Sequence, residues 1–403
     1  MLYRISLGLV LLTASCGDLA DPSAHDEALQ DQDEALRDQD DDEDRNSGAI
    51  AAGRRLFTKE TFGGNGRTCR TCHGKRTGTL SPEEIQALFR RDPNNVLFRF
   101  DGSDDGAGHG VSRILQDATI LINIALPPNV HLADDPGARF VTLRHGIPSV
   151  LDTPALDPVL MYDGRAPDLV EQARGAIDAH TQHTVEPTER ELELIAEFER
   201  SAEFFSSGKL RRFAAGGSPP RLPEGHTAAE RRGRRFIENV PFDPVSGVGV
   251  CALCHSGPML NEANGFLPIP VPPGRVEPGT RFANILSSEL ASNGDPVRTY
   301  VITNPDGSTT SVSTSDPGRA LQTGDFRGFP LGDLGLFKTS TLWNVKHTAP
   351  YFHNSSMKSL EQVLQHYTTV FQIVIPRVFP GAAPLVLSAQ DQADIVAFLM
   401  LLD

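Results

Sequence analysis

The chain has 403 residues, a formal net charge of −15 and 39% apolar residues. Residues 17–45 hold 13 Asp and Glu against two Arg, a net charge of −11, which leaves −5 on residues 46–403. No basic face offsets this charge, which argues against a nucleic-acid binder. The longest apolar run is ten residues, short of the roughly 20 that a membrane-spanning helix needs, and the length predicts two domains.

The first 16 residues are typical of a secretory signal, in which Arg4 precedes an apolar run that ends in small residues before Cys16. This end resembles the bacterial lipobox, whose cysteine becomes the lipidated first residue, although Thr13 stands where Leu is usual. Plain cleavage nearby, with loss of Cys16, is the alternative. In either case we expect export to the periplasmic side of a bacterial membrane, with the N-terminal lipid as the only membrane contact.

Residues 17–47 follow the signal and are predicted to be an acidic, disordered tether. Their apolar content is too low to form a core. A short amphipathic helix built on Ala28, Leu29, Ala35 and Leu36 is the weaker alternative, because its apolar face is thin.

Four cysteines form two identical motifs, Cys69-x-x-Cys72-His73 and Cys251-x-x-Cys254-His255. C-x-x-C-H is the pattern of covalent haem c attachment, since two thiols one helical turn apart reach the two vinyl groups while the adjacent His ligates iron. A zinc ribbon needs its two pairs about 15–20 residues apart, whereas these pairs are 182 residues apart. A thioredoxin-like pair needs a βαβ context that neither motif has. The motifs therefore predict two covalently bound haem c groups, attached through the four cysteines, with both histidines as iron ligands.

The sequence around the two motifs also repeats. Residues 53–57 and 233–237 each begin with Gly-Arg-Arg and are typical of the N-terminal helix of a class I cytochrome c fold, whose Gly permits close crossing by a second helix. That second helix is predicted over residues 192–205 and 392–402, each opened by a capping residue with an acid three positions later. Such internal repetition indicates a tandem duplication.

We therefore predict a mainly α fold of two tandem class I cytochrome c-like domains, each with one covalent haem c. The N-terminal domain is assigned to residues 48–216 and the C-terminal domain to residues 217–403. One segment of the second domain, residues 265–335, is rich in Pro, Gly and Ser and is predicted to be an insertion that contains a β-hairpin over residues 299–312. A disordered loop is the alternative.

Methionines are candidates for the sixth ligand of each haem. Met357 lies 102 residues after His255, in a loop that enters a predicted helix beginning at Leu360. It is the best candidate for the second haem, where thioether ligation would raise the reduction potential. Met161 remains a candidate in the first domain.

From Ala49 to Leu402 the chain closely resembles the bacterial di-haem cytochrome c peroxidase family, which includes the MauG-like maturation enzymes. Besides the haem motifs, the resemblance is carried by residues 162–165 (YDGR), 169–173 (LVEQA), 257–258 (GP), 316–319 (DPGR), 337–342 (FKTSTL) and 349–353 (APYFH). It implies a high-potential electron-entry haem at His255 and Met357 and a peroxide-reducing haem at His73. It further implies hydrogen peroxide as substrate and a small cytochrome c or cupredoxin as electron donor.

The candidate catalytic residues follow from the same resemblance. Tyr162 stands where the family usually has a Trp between the haems, and Gln172 matches the distal Gln. Gln182 stands where the family has the Glu that shuttles the proton, and an amide cannot accept and return a proton at neutral pH. His180 and His183 flank Gln182 and could supply a base or close the iron; the alternative is that both are polar loop residues.

The resemblance leaves two further points open. The family's calcium site uses an Asn near the position of Gly146, so one calcium ion is an open expectation, as is a homodimer. Three functions remain: a peroxidase-like enzyme; a MauG-like or oxygenase-type oxidation of another substrate, favoured by Gln182; and a non-enzymatic electron-transfer cytochrome. The last is expected if a histidine permanently fills the first haem, the candidates being His109, His131, His180 and His183.

Overall fold

The computed structural model describes residues 47–266, 281–291, 293–328 and 331–403. The chain divides into two compact units, residues 1–49 and 50–403. Of the first unit only residues 47–49 are described, and they are helical. The predicted signal and nearly all of the predicted tether therefore lie outside the described residues. Within the described ranges, no helix combines the length and the apolar character that crossing a bilayer would require.

The second unit combines helices with small β-sheets. Its helices are α1 (50–59), α2 (Cys69–Cys72), α3 (Pro82–Arg91), α4 (Ser112–Asp117), α5 (Thr153–Leu156), α6 (Leu169–His180), α7 (Glu189–Glu199), α8 (Gly208–Ala214), α9 (Ala228–Ile237), α10 (Ser287–Leu290), α11 (Ala320–Thr323), α12 (Leu360–Val378) and α13 (Ala389–Leu399). Its strands are β1 (Thr119–Ala125), β2 (Val130–Leu132), β3 (Phe140–Gly146), β4 (Phe282–Ala283), β5 (Arg298–Thr303), β6 (Thr309–Thr314) and β7 (Phe337–Lys338). Short 3₁₀ turns include Cys251–Leu253 at the second cysteine motif.

Two helix pairs cross at a glycine, as the sequence predicts. A Cβ atom added to Gly53 on α1 would lie 2.0 Å from the carbonyl oxygen of Leu194 on α7, and one added to Gly233 on α9 would lie 1.9 Å from that of Asp394 on α13. Only a residue without a Cβ permits so close an approach. The two contacted carbonyls are 200 positions apart, which is the offset at which the two predicted second helices match.

The second helices begin where their capping sequences predict. Thr188 caps α7 in a box with Glu191, and Ser388 caps α13 in a box with Asp391. Both helices end earlier than predicted. α7 ends at Glu199, and a separate 3₁₀ turn covers Ala202–Phe204, while α13 ends at Leu399.

Three apolar clusters hold the second unit together. One surrounds the α1–α7 crossing and includes Phe57, Ile195 and Phe198. Another surrounds the α9–α13 crossing and includes Ile237 and Phe398. A third packs the β1–β3 face against residues of the β5–β6 hairpin and α11. The third cluster therefore draws on both halves of the chain.

The β-structure also joins the two halves. β5 and β6 form an antiparallel hairpin close to the predicted residues, and β5 pairs on its other edge with β2. The antiparallel pair β1–β3 was not predicted, although Ile120, Ile122 and Ile124 alternate as buried residues. His131, predicted to lie in a loop, is on β2 opposite Val301.

We expect Gly233→Ala to lower the free energy of unfolding by about 1–3 kcal/mol, because the added methyl forces α9 and α13 apart. Gly175→Ala is the matched control, since Gly175 also lies in a helix but has open space around it. That change should instead raise stability by about 0.5–1 kcal/mol through helix propensity. Chemical denaturation of both variants measures the difference, and equal effects would contradict the close crossing.

Candidate functional site

Both cysteine motifs open onto one cavity in the second unit. Cys72, His73, Cys251, Cys254 and His255 all line it. Cys69 and Cys72 begin and end the single-turn helix α2, while a 3₁₀ turn carries the second motif. The motifs lie 182 residues apart in sequence, so only the folded chain brings them to a common space.

The two motif histidines are held in the same way. Nδ1 of His73 donates to the carbonyl oxygen of Gly78 at 2.8 Å, and Nδ1 of His255 donates to that of Leu260 at 2.9 Å. Both carbonyls belong to the residue five positions later, which in each case has a positive φ, 67° and 52°. A donor at Nδ1 leaves the Nε2 lone pair free, the arrangement that metal-ligating histidines need.

Burial keeps both imidazoles neutral. It lowers the pKa of His73 to about 4, an effect that the Gly78 hydrogen bond opposes and the charge of His180 reinforces. Burial also lowers the pKa of His255. A neutral imidazole with a free Nε2 can ligate one haem iron, so His73 and His255 fit two haem groups in this cavity.

The cysteines do not fit the alternatives of zinc or reactive thiols. All four are free thiols in the structure. Burial raises the pKa to about 12 for Cys69 and Cys251 and to about 11 for Cys72 and Cys254, opposite to the shift of a reactive thiolate. Among the described residues, no group of three or more His, Cys, Asp and Glu side chains could hold a metal ion.

One face of α6 supplies the distal wall at the first motif. Leu169, Gln172, Ala176 and His180 line the cavity, and their spacing of three to four residues places them on one side of the helix. Gln172 and His180 are thus brought together at the cavity.

His180 is buttressed by a carboxylate that the sequence prediction missed. Its Nδ1 lies 2.6 Å from Oδ2 of Asp101, and Arg67 pairs with the other oxygen of that carboxylate. Burial alone would raise the pKa of Asp101, but the hydrogen bonds from His180 and Arg67 and the charge of Arg67 lower it. The ionised carboxylate holds the Nδ1–H tautomer of His180, so Nε2 is the nitrogen available for chemistry.

Gln182 and His183 lie apart from this wall. α6 ends at His180, so a ten-residue step from Gln172 carries the chain beyond its last turn, and Gln182 is exposed with φ 50°. His183 faces acidic side chains, with Nε2 3.3 Å from Glu186 and 3.7 Å from Asp178. Neither residue is among those lining the cavity. The expectation that they act there is corrected by their position after the helix end.

Met357 is also misplaced by the sequence prediction. It exchanges backbone hydrogen bonds with Tyr351 and packs against the apolar cluster of the α9–α13 crossing, and it is not among the cavity-lining residues. Tyr367 on α12 does line the cavity. Burial raises the pKa of Tyr367, and the thiols of Cys254 and Cys251 act in the same direction, which places its hydroxyl near the second motif. In the first half, Met161 lines the cavity with φ 64°.

The cavity wall also includes His145 and His353, which form a buried cluster with Asp316. Nε2 of His145 lies 2.7 Å from Oδ2 of Asp316, and Nε2 of His353 lies 3.6 Å from the same oxygen. The ring of Tyr162 stands nearly perpendicular to that of His145, with centroids 5.8 Å apart. His145 and Asp316 are 171 positions apart, so no sequence spacing could have paired them.

Glu199 is a further buried carboxyl on this cavity. Its side chain is 4% exposed, and its Oε2 has no hydrogen-bond partner. Burial raises its pKa to about 8, against a small opposing effect of Arg200. The group is therefore largely protonated at neutral pH.

The chain is similar in sequence to known cytochrome-c peroxidases, although no protein-family model matches it. Cytochrome-c peroxidase IdrP1 of Denitromonas iodatirespirans is 29% identical over 155 residues, 38% of this chain and 36% of the relative. Cytochrome-c peroxidase IdrP2 of Pseudomonas sp. (strain SCT) is 30% identical over 159 residues, 39% of this chain and 36% of the relative. The match thus spans about a third of the length of these curated relatives.

Two solved structures cover most of the chain. A MauG-like protein associated with microbial copper homeostasis is 19% identical, covers 88% of both chains and has a TM-score of 0.46. The diheme peroxidase BthA of Burkholderia thailandensis E264 is 18% identical, covers 88% of this chain and 86% of its own, and has a TM-score of 0.48. The resemblance to cytochrome c peroxidases, predicted from the sequence motifs, is confirmed by the two curated relatives.

We expect the stability of the protein to fall between pH 5 and pH 8 because of Glu199. Its pKa is about 8 when folded and near 4.5 when unfolded, so the unfolded chain releases the proton first as the pH rises. The stabilising contribution of protonated Glu199 is complete below its pKa in the unfolded chain. It is lost as the pH rises towards its pKa in the folded protein. Melting temperatures across this range should fall more steeply for the unmodified protein than for Glu199→Gln. Glu193→Gln, an exposed change on the same helix, should leave the slope unaltered.

Proposed function

We propose that this relative of the bacterial di-haem cytochrome c peroxidases is an exported di-haem c-type oxidoreductase that reduces hydrogen peroxide. The reaction takes up two electrons and two protons per peroxide and yields two waters. The observation that carries the proposal is the shared cavity, onto which both C-x-x-C-H motifs open with neutral histidines whose Nε2 atoms are free. Peroxide would react at the first site, and electrons would enter at the second.

The proposal includes two tandem cytochrome c-like domains, residues 48–216 and 217–403, with the β5–β6 hairpin as an insertion in the second. Three repeated features support this division: a glycine at each helix crossing, a capping box on each second helix, and a carbonyl five residues after each motif histidine. The β2–β5 pairing would then bind the insertion to the first domain.

Two covalent haem c groups would be held by the four motif cysteines, with His73 and His255 as ligands. When bound, they supply the redox-active iron that accepts electrons and binds the peroxide oxygen. The protein supplies the buried, largely apolar walls and the few polar groups that face the reacting atoms. At the first site these include Gln172 and His180.

His180 is assigned the proton-transfer role that a Glu has in related enzymes. The Asp101 carboxylate holds Nδ1–H, so Nε2 can take a proton from the bound peroxide and return it to the leaving oxygen. Gln172 carries both a donor and an acceptor and can orient peroxide beside His180 without taking its proton. Exposed Gln182 has no part in this scheme.

We expect His180→Ala to reduce kcat/KM for peroxide about a hundredfold or more, the usual cost of losing a general base. Its first haem should remain high-spin in the half-reduced protein. His183→Ala is the control and should retain the activity. If the unmodified protein is low-spin at both haems and His180→Ala gains activity, His180 closes the iron, and the electron-transfer alternative is correct.

The second site is assigned to electron entry, with Tyr367 in place of Met357 as the candidate sixth ligand. Both residues pack against the same apolar cluster, but Tyr367 lines the cavity near Cys254, whereas Met357 is not among the lining residues. An oxygen ligand lowers the reduction potential relative to a thioether. The electron donor would be a small cytochrome c or cupredoxin, as the resemblance implies.

Tyr367→Phe should therefore change the ligand-field spectrum of the second haem and raise its reduction potential. Met357→Leu should leave both unchanged. Low-temperature electron paramagnetic resonance and spectroelectrochemistry measure the two properties. A thioether signature that disappears in Met357→Leu would restore Met357 as the ligand.

Export and membrane attachment are part of the proposal and rest on residues 1–16 and on Cys16, with residues 17–47 as the tether. MauG-like or oxygenase-type oxidation of another substrate is the second candidate function. It is favoured by Gln182, an exposed amide at the position of the family's usual proton-shuttling Glu. Calcium binding and a homodimer stay predictions. Gly146, near the position of the family's calcium-binding Asn, offers a calcium ion only its backbone.

A further inference from the structure

The buried cluster of His145, Asp316 and His353 has no part in the peroxide scheme above, although both of its histidines line the cavity onto which the two motifs open. Asp316 is 4% exposed and His145 is 3% exposed. Oδ2 of Asp316 accepts from Nε2 of His145, and Oδ1 accepts from the backbone N–H of Gly318 at 2.8 Å. A buried carboxylate held this firmly requires a compensating positive partner or donors.

The two histidines of the cluster differ in what they can do. His353 is stacked on Phe337, with ring centroids 3.7 Å apart, and its Nδ1 is 3.2 Å from Oγ of Ser287. Burial lowers the pKa of His353 to about 3, so it stays neutral. His145 instead uses Nε2 for Asp316, which leaves its Nδ1 as the free acceptor, and its ring contacts Tyr162.

Tyr162 needs such an acceptor if it is to carry an electron. An indole that loses an electron can keep its N–H proton as a radical cation, whereas an oxidised phenol is so acidic that it must release its proton at once. Burial also raises the pKa of Tyr162, so the hydroxyl is not deprotonated beforehand. The replacement of the family's usual Trp by Tyr162 therefore demands a proton acceptor within direct or one-water reach.

We propose that His145, held by Asp316, is the proton acceptor that allows Tyr162 to relay electrons between the two haem sites. The inference rests on the proposed function. Tyr162 would pass one electron to the oxidised first site and its O–H proton to Nδ1 of His145. When one electron arrives from the second site, Tyr162 would be reduced again and the proton would move back from His145 to the phenolic oxygen.

The relay is balanced by this cycle, since one electron crosses and no proton is consumed. The Asp316 carboxylate favours the transient imidazolium. Burial would raise the pKa of Asp316, but the hydrogen bonds from His145 Nε2 and the Gly318 N–H lower it, so the carboxylate remains ionised. Other charged groups near the cluster are Arg144, which lies 3.6 Å from Asp295, and Asp295 itself. His145 is thus a positioning and proton-accepting partner of Tyr162.

The test uses the haem-loaded protein and a one-electron flash photo-oxidant. Transient absorption follows formation of the Tyr162 radical in H₂O and in D₂O. We expect a slower rate in D₂O, and a loss of about a hundredfold in His145→Gln, typical for removing a positioned base. His131→Gln is the matched control and should not change the rate, because His131 lies on strand β2 and is not among the cavity-lining residues.

A double-mutant cycle separates proton transfer from structural damage. In a Tyr162→Trp background the relay no longer needs to release a proton, so His145→Gln should then have no effect on electron transfer. An equal loss in both backgrounds, or no loss in either, overturns the proposal. If His145→Gln fails to retain haem, Asp316→Asn takes its place in the same cycle.

The flash oxidant also separates this inference from the proposed function. A protein that does not reduce peroxide but shows the isotope effect and the His145 dependence keeps the relay and loses the peroxidase assignment. A protein that reduces peroxide with a Tyr162 radical indifferent to His145 keeps the assignment and loses the relay.

Discussion

The close contact of two helix pairs is the constraint on which the rest of this structure depends. Gly53 and Gly233 let α1 and α9 touch the backbone carbonyls of α7 and α13, where any Cβ would collide. Each crossing fixes an apolar cluster beside one cysteine motif. Because both motifs are set in this way, their histidines can face a common cavity with Nδ1 already bonded to a local carbonyl.

The cavity walls are mostly apolar, so each polar group on them has a strong and different electrostatic character. His180 is fixed by an ionised carboxylate that Arg67 also binds. His145 shares a second ionised carboxylate with His353. Glu199 has an unpaired oxygen and is held neutral by burial. These three environments give the polar groups of one largely apolar cavity different charges and proton affinities.

Local sequence patterns predicted the parts of this protein that are themselves local. The motifs, the crossing glycines, the capping boxes at Thr188 and Ser388 and the β5–β6 hairpin depend on residues within a few positions of one another. The β1–β3 pair was missed because its strands are separated by residues 126–139, which include β2, and not by one short hairpin turn. Gln182 was placed by a fixed spacing from Gln172, which ignores the end of α6 at His180. Met357 was chosen for its position in the loop before α12, and that position does not reveal which way the loop packs.

The amino-acid sequence by itself determined the two C-x-x-C-H motifs, the repetition of the segments around them and the family resemblance. Each of these is written in short spacings or in repeated segments. Only the tertiary structure decided which side chains meet at the cavity. Asp101 with His180, and Asp316 with His145, are pairs joined across 79 and 171 positions. Such pairs arise where the packing of distant helices and strands removes water from polar groups, and no local pattern records that loss of solvent.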